Sequence, residues 1–539
     1  MSTEQTRLAR LLQGALDTRS AGTVAARHLL RGTAHVSGLP APFRDRPAYA
    51  AALEAYRHGD LRLARERARE AGPAGRLLAR LIDGELGLLD GPPGDDLPTG
   101  LPTSLPPRPV DGGPRRVLHL VTNAWPETTA GYTVRTRGIT EAQAAAGLEV
   151  HVATRLGFPV NRGRIGAARG LQRGGVAQHR LPAGLPLRAD DALRRDIALT
   201  GRLAARLRPD VLHAHSNHVN GRVALALRAR LGVPVVYEVR GLLEETWRSR
   251  SPHVDDAHAV ASDHYRLTRA AETRIMRAAD AVVTLSETLR TEVIGRGVPA
   301  ERVVVVPNCV DDVWLAGEAV VHAADARSGD PLTLLYAGTL NDYEGVDLLL
   351  DAVALLRSRG LDVRAVVAGG GPAATRLHEH AASRGLGAAV RFTGVVDRDA
   401  LIALARTADA VCLPRRDLPV TRLVPPLKPV EAMALGLPVV AADLPPLREL
   451  LAGRGVLVRP DDADALAAGV LALADPARRA ELGAAARDHV ARTRTWRAAA
   501  ASHLDLYGRL VPSRADLPAT DAVHPTAAPT AAPTEGALP

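Results

Sequence analysis

Two series of short, continuous apolar segments alternate with helical stretches along most of this chain. The first series runs through 117–121, 150–153, 211–214, 233–237, 281–284 and 303–306. The second runs through 332–337, 363–368, 390–393, 410–413 and 438–441. A strand with one wet face alternates apolar and polar residues. Segments that do not alternate are buried on both faces, as in a parallel sheet covered by helices. Two such series predict an α/β chain with two doubly wound, Rossmann-like domains, at 115–318 and 330–494. Ligands of these sheets bind beyond the carboxyl ends of the strands. The cleft between the two domains is therefore the expected site.

The flanks read differently. Residues 1–90 are read as a helical accessory domain, in which 49–56, a His58-Gly59-Asp60 turn and 61–65 form a helix pair. That pair faintly resembles one tetratricopeptide unit, and a single unit cannot bury a continuous core by itself. It is a candidate surface for a protein partner. Residues 91–114 form a Pro/Gly linker, and the Pro/Ala/Thr-rich tail 512–539 is expected to be disordered. The two cysteines, Cys309 and Cys412, lie in apolar runs and supply neither a disulfide framework nor a metal cluster. A reducing cytoplasm fits this usage. The first twenty residues lack the apolar core of a signal peptide, and no apolar run is long enough to span a bilayer.

The net charge of +9 is unevenly spread, since 155–208 holds twelve arginines against Asp190, Asp191 and Asp196. Such a segment suits anionic lipid or a polyanionic acceptor, giving an expected contact with the inner face of the membrane. A solvated surface in an arginine-biased protein is the equal alternative. Nucleic acid is disfavoured, because aromatic platforms for base stacking are missing.

The chain carries one lysine, Lys428, among its 68 Lys+Arg. In a sequence that uses arginine elsewhere, its retention marks a place where a compact ammonium differs from a forked guanidinium, unless it is chance. Pro429 follows, preset for the first turn of a helix. Residues 431–435 are good helix formers and Gly436 is a natural cap. The pattern predicts that Lys428 stands at the mouth of a short helix, where free N–H groups favour phosphate. Glu431, on the first turn, is placed to accept hydrogen bonds from a ribose diol. The competing reading is a plain helix cap with a surface lysine.

The run Leu427-Lys428-Pro429-Val430-Glu431-Ala432-Met433-Ala434, continued by Gly436 and Pro438-Val439-Val440, resembles the donor-site signature of family 4 glycosyltransferases. Tyr336-Ala337-Gly338-Thr339 with Tyr343-Glu344-Gly345, Ala368-Gly369-Gly370-Gly371-Pro372, Phe392-Thr393-Gly394, Ala408-Asp409 and Pro307-Asn308 agree in order. The Tyr-Glu-Gly and Pro-Leu-Lys-Pro variants resemble one subgroup. The resemblance covers roughly residues 115–510. It implies the GT-B fold, with a crossover helix at 495–511 returning to the first domain. It also implies a retaining transferase that moves a hexosyl or hexosaminyl group from a nucleotide-diphosphate sugar to a glycan or lipid-linked acceptor, in cell-envelope polysaccharide or glycolipid synthesis. No cofactor or metal is expected.

The resemblance assigns catalytic roles to Lys428 and His215, and substrate contacts to Glu431, Pro429, Gly338 and Thr339. Gly131, Tyr132 and Arg135 resemble the glycine loop of the first domain, with a plain loop as the alternative. Arg240 is expected at the acceptor cleft. Many relatives carry two cations where this chain has Thr339 and Glu344. The phosphate charge then falls to Lys428, with Arg415 or Arg416 as helpers. The usual upstream carboxylate is Leu423, with Asp417 as a substitute. Two other classes stay open: a nucleotide-sugar 2-epimerase of the same fold, and a non-catalytic sugar-nucleotide-binding scaffold.

Overall fold

In a computed structural model of the protein, residues 47–91, 115–164, 170–181, 184–251, 253–317 and 331–511 are described, besides isolated positions. The linker from 92 onward and the tail from 512 lie outside the described residues. The first sheet holds β1 (Arg116–Val121), β2 (Glu149–Thr154), β3 (Gly170–Arg173), β4 (Val176–Arg180), β5 (Val211–His215), β6 (Val235–Glu238), β7 (Ala281–Thr284) and β8 (Val303–Val305). Its order is β3-β4-β2-β1-β5-β6-β7-β8. The second holds β9 (Leu332–Ala337), β10 (Val363–Ala368), β11 (Val390–Gly394), β12 (Ala410–Leu413), β13 (Val439–Ala442) and β14 (Val456–Val458), in the order β11-β10-β9-β12-β13-β14.

Both faces of each sheet are dry, which is why the strands do not alternate. In the first sheet Leu118 and Leu212 belong to one core and Val117 and Val211 to the opposite one. Three strands escaped the sequence reading for a physical reason. β3 and β4 are polar edge strands, GLQR and VAQHR, paired antiparallel through a Gly174-Gly175 turn. β14 has only three residues.

Each sheet reverses its order at one point, between β1 and β5 in the first and between β9 and β12 in the second. Loops leaving the strand ends on either side of such a point splay apart and open a crevice. The loops carrying Gly131, His215, Gly338 and Arg415 all start at these four strands. The helix Trp496–Leu510 lies on the first sheet, with Trp496, Leu506 and Tyr507 in the same core as Val117 and Val211. Gly138 is required by this contact, because a Cβ there would fall 2.3 Å from Trp496 Cε2.

Three N-terminal helices, Pro47–Arg57, Leu61–Glu70 and Gly72–Asp90, enclose Leu61, Leu78 and Ile82 and pack on Ala271 and Leu267 of the first domain. The Arg62 amide donates to Asp263 Oδ2 at 2.9 Å, and the His264 amide donates to the Gly59 carbonyl at 2.9 Å. The first domain thus covers part of this unit's apolar surface, while Leu63 and Leu77 stay exposed.

The basic segment is also less available than its charge count implied. Arg155 donates to Thr122 and Asn217, Arg180 is buried against Glu127, and Arg188 and Arg194 pair with Asp190 and Asp191. No helix among the described residues is long and apolar enough to cross a membrane.

Candidate active site

Lys428 opens the helix Lys428–Ala434, and its side chain turns back across the end of β9. Gly338 makes the room, since a Cβ there would sit 2.1 Å from Lys428 Cε. The backbone of Gly338 also has φ +149, a conformation that side-chain-bearing residues rarely adopt. Lys428 Nζ lies 2.8 Å from Glu344 Oε2, donates to the Tyr336 hydroxyl at 2.8 Å and stands 4.7 Å from the centre of the Tyr336 ring. Arg415 Nε approaches the same Glu344 oxygen at 3.5 Å. Two cations thus share one carboxylate, leaving a net positive charge at the switch point. Burial pulls the Lys428 ammonium below its usual range, against the opposing pull of Glu344. Burial also pushes Glu344 up, but Lys428 and Arg415 outweigh it and the carboxyl stays below its usual range.

Several expected contacts are placed differently. Arg416 is turned away from this group and held by Asp347 and, at 3.1 Å, by Asp461. It is unavailable to a phosphate, and Arg415 is the only one of the two helpers near Lys428. Asp417 is engaged by Arg422 and does not replace an upstream carboxylate. Leu423 instead packs against the core of the first domain, so an apolar contact across the cleft stands where relatives carry an acid. Thr339 is exposed, and its carbonyl accepts from the Tyr336 hydroxyl at 3.0 Å. Pro429 is buried.

Glu431 has no hydrogen-bond partner among the described residues. Burial, then repulsion from Asp311, raise its carboxyl to about 7. The sign of the linkage follows. A carboxyl whose folded pKa is raised binds more protons than the unfolded chain between about 4.5 and 7, so stability falls as pH rises through that window. Glu431→Gln is therefore expected to raise the thermal midpoint at pH 8 while leaving pH 4 nearly unchanged. An equal shift at both pH values would contradict the placement.

On the opposite wall, Gly131 fronts open space, since a Cβ there would meet no atom within 4 Å. Tyr132 is 38% exposed, with its hydroxyl 2.8 Å from the Asn123 side chain. Arg135 lines the cleft, but its side chain is committed to the protein's own acceptors. Its guanidinium is fully buried and donates to Glu238 at 3.0 Å, the Pro307 carbonyl at 2.7 Å and the Val306 carbonyl at 2.8 Å. Arg240 also pairs with Glu238, and donates to the Tyr132 carbonyl at 2.8 Å and Thr136 Oγ1 at 2.7 Å. Its remaining Nη2 has no hydrogen-bond partner among the described residues. Burial lowers the Arg240 guanidinium to about 10, still charged at neutral pH.

His215 is likewise enclosed, with only 2% exposed and its Nε2 2.8 Å from His119 Nδ1. The protein's own side chains enclose it. Sequence reading missed the group it belongs to. His119, His213, His215, Glu238 and, from the crossover helix, His503 and Tyr507 converge there, with His213 Nδ1 2.6 Å from the Tyr507 hydroxyl. Two triads in it bring three ligand-type atoms within 4.8 Å of one another, although no spacing in the sequence signalled them. Arg135 and Arg240 already exceed the charge of Glu238, which makes this a poor environment for a further cation. The sequence signal was that histidines recur in two strands, at 119, 213 and 215.

Between the two walls lies a cavity of ≈ 350 Å³. Gly131, Tyr132, Arg135 and Arg240 of the first domain face Tyr343, Arg415 and Pro425–Leu427 of the second across it. Asn308 bridges the domains by donating to the Pro425 carbonyl at 3.2 Å.

The chain is similar to known proteins. Residues 130–309 match the glycosyl transferase 4-like domain, and residues 321–489 match glycosyl transferases group 1. A D-inositol 3-phosphate glycosyltransferase of Catenulispora acidiphila is 34% identical over 371 residues, spanning 65% of this chain and 83% of that protein. The chain belongs to the family 4 glycosyltransferases. A glycogen synthase of Mycobacterium tuberculosis is 31% identical over 310 residues, 56% of this chain and 69% of that protein. Among solved structures, sucrose-phosphate synthase of Thermosynechococcus elongatus covers 74% of this glycosyltransferase and 99% of its own chain, with TM-score 0.60 and 22% identity. The Anabaena protein HepE in complex with UDP covers 73% and 100%, with TM-score 0.55 and 19% identity. These neighbours carry the GT-B fold, two Rossmann-like domains facing a cleft.

Proposed function

We propose that this glycosyltransferase moves a hexosyl or hexosaminyl group, with retention, from a nucleotide-diphosphate sugar to a hydroxyl of a glycan or lipid-linked acceptor. The observation that carries the reading is the Lys428 ammonium, held over the side-chain-free Gly338 at the switch point of the second sheet. In the reaction the bond from the anomeric carbon to the bridging phosphate oxygen breaks. The nucleoside diphosphate leaves with the electron pair. The acceptor oxygen bonds the same carbon from the leaving-group face and passes its proton to the departing phosphate. Charge grows on the phosphate as the sugar becomes oxocarbenium-like, so fixed cations aimed at that oxygen lower the barrier. Lys428 is the principal one and Arg415 the second. Glu431, ionised on meeting the donor, accepts the ribose hydroxyls. The free Nη2 of Arg240 is the donor group of the facing wall. His215 acts through His119 as a positioning residue for that wall.

The neighbour HepE is named in complex with UDP and with UDP-glucose, which supports a nucleotide donor here. The testing experiment is a donor-hydrolysis screen across a panel of nucleotide sugars without acceptor. Release of nucleoside diphosphate from at least one donor is expected. Interconversion of two sugars by NMR without release would instead indicate an epimerase, and binding without turnover a scaffold. Gly338→Ala is expected to displace the Lys428 chain and lower hydrolysis of the same donor, with the thermal midpoint measured alongside because φ +149 also strains an alanine. Unchanged hydrolysis by that variant would separate the lysine from the chemistry.

We further propose a cytoplasmic protein in cell-envelope synthesis that touches anionic membrane through the exposed arginines of 155–208. Among them are Arg162, Arg164, Arg173, Arg195 and Arg202. Flotation with anionic but not neutral liposomes is the expected result.

A further inference from the structure

A second cavity, of ≈ 460 Å³, lies where the N-terminal helical unit meets the first domain. Its volume falls in the range of small-molecule sites, roughly 300–1,000 Å³. Leu88 and Leu89 of the helix Gly72–Asp90 form one wall, and Leu243 and Trp247 of the helix Leu243–Ser249 form another. These walls are apolar and belong to two different units of the protein. Three buried polar side chains, His218, Ser251 and Thr268, lie on this lining. His218 is 5% exposed and, among the described residues, neither of its ring nitrogens has a hydrogen-bond partner, the Glu272 carboxylate lying 3.6 Å from Nδ1. A buried polar group left unmatched costs free energy unless something occupies the space beside it.

The cavity also adjoins the cleft. Thr246 and Arg250 line both spaces, and the Arg250 guanidinium stands 5.9 Å from the Tyr343 ring across the domain boundary. A ligand with its reactive end beside Arg240 can therefore extend past Thr246 into the apolar space. We propose that this cavity receives the apolar part of the acceptor, an alkyl or aryl group joined to the glycosylated end, with His218 meeting a polar atom along it. The N-terminal helices then complete the acceptor site rather than recruit a separate protein. This rests on the cleft being a site of glycosyl transfer.

The test uses the full chain with n-octyl β-D-glucoside, below its micelle concentration, against methyl β-D-glucoside. Trp247 fluorescence is the readout, with Trp247→Phe as the signal control. The octyl compound is expected to bind more than about tenfold tighter than the methyl compound, since each buried methylene contributes about 0.8 kcal/mol. Ala189→Phe, at the cavity wall, and Leu243→Asp should each abolish that preference. Leu243 is 38% exposed and opens its helix, where an acid is favoured, so the second variant keeps its fold. Octyl glucoside should also change the rate of donor hydrolysis in the wild type and not in Ala189→Phe, while both variants hydrolyse donor normally alone. Equal binding of the two glucosides, unaltered preference in both variants, or donor hydrolysis indifferent to octyl glucoside would each overturn the acceptor role. Octyl binding with no hydrolysis of any donor would instead overturn the transfer reading and leave an apolar-ligand site.

Discussion

Lys428→Ala is expected to lower donor turnover by roughly 10²–10³-fold, the loss that follows removal of one fixed donor from a site of developing negative charge. The same change leaves Glu344 buried with only Arg415 at 3.5 Å. The expected stability loss is about 2 kcal/mol, below the range for a fully broken buried pair because one cation remains. Two effects in one variant must be separated. Lys428→Ala with Glu344→Gln removes the stranded charge, so the double variant should recover the thermal midpoint and remain inactive. Lys428→Arg should also stay well below wild type, since the forked group must fit over Gly338, where the lysine chain already passes within bonding distance of a missing Cβ. Near-normal turnover by the refolded double variant would remove Lys428 from the chemistry.

Glu238→Ala is expected to be the most destabilising single change in the first domain. Glu238 is wholly buried, and burial pushes its carboxyl up while Arg135 and Arg240 overcome that and hold it well below the usual range. Removing it strands two guanidinium groups in a dry interior, at about 3–5 kcal/mol. That is a large share of the roughly 5–15 kcal/mol that holds a domain folded. Scanning calorimetry should show the loss directly, and a fall in midpoint below about 2 °C would contradict it. Glu238→Gln keeps an acceptor for one arginine and should fall between. The adjoining histidines set a pH dependence. Burial lowers His213 to about 4 and holds His119 and His215 well below 6.5. The unfolded chain binds these protons first, so this contribution to stability is present above about 6.5 and is lost as pH falls towards 4. Glu431 contributes with the opposite sign over nearly the same window, and its glutamine variant should therefore steepen the acid loss.

Much of the architecture was readable because it rests on local pattern. Strands buried on both faces read as unbroken apolar runs, and eleven of these appear in chain order. The polar pair β3 and β4 and the three-residue β14 carry no such run and stayed hidden. The donor side of the site was similarly legible. Lys428, Pro429, Glu431 and Gly338 fall in motifs whose residues are close in sequence or follow a strand end. Their partners were not. Nothing local pairs Lys428 with Glu344, 84 residues away, or distinguishes Arg415 from its neighbour Arg416. Adjacent side chains on an extended segment point to opposite faces, and only the packed loop shows which faces the cleft.

The facing wall depended even more on tertiary structure. Arg135 read as a substrate contact because it follows a glycine loop, yet Glu238 and two carbonyls of the segment after β8 claim its whole guanidinium. His215 took its catalytic role from the resemblance alone, and the crossover helix closes the cluster around it with His503 and Tyr507. The N-terminal helices looked unpartnered because their complement, the helix Asp263–Ala278, is some 200 residues distant. Periodicity and turn chemistry carry strands, switch points and the single lysine, because each is set by neighbours along the chain. Which charges meet, which are buried and where a second cavity opens are decided by side chains that approach only when the sheets and the flanking helices are assembled.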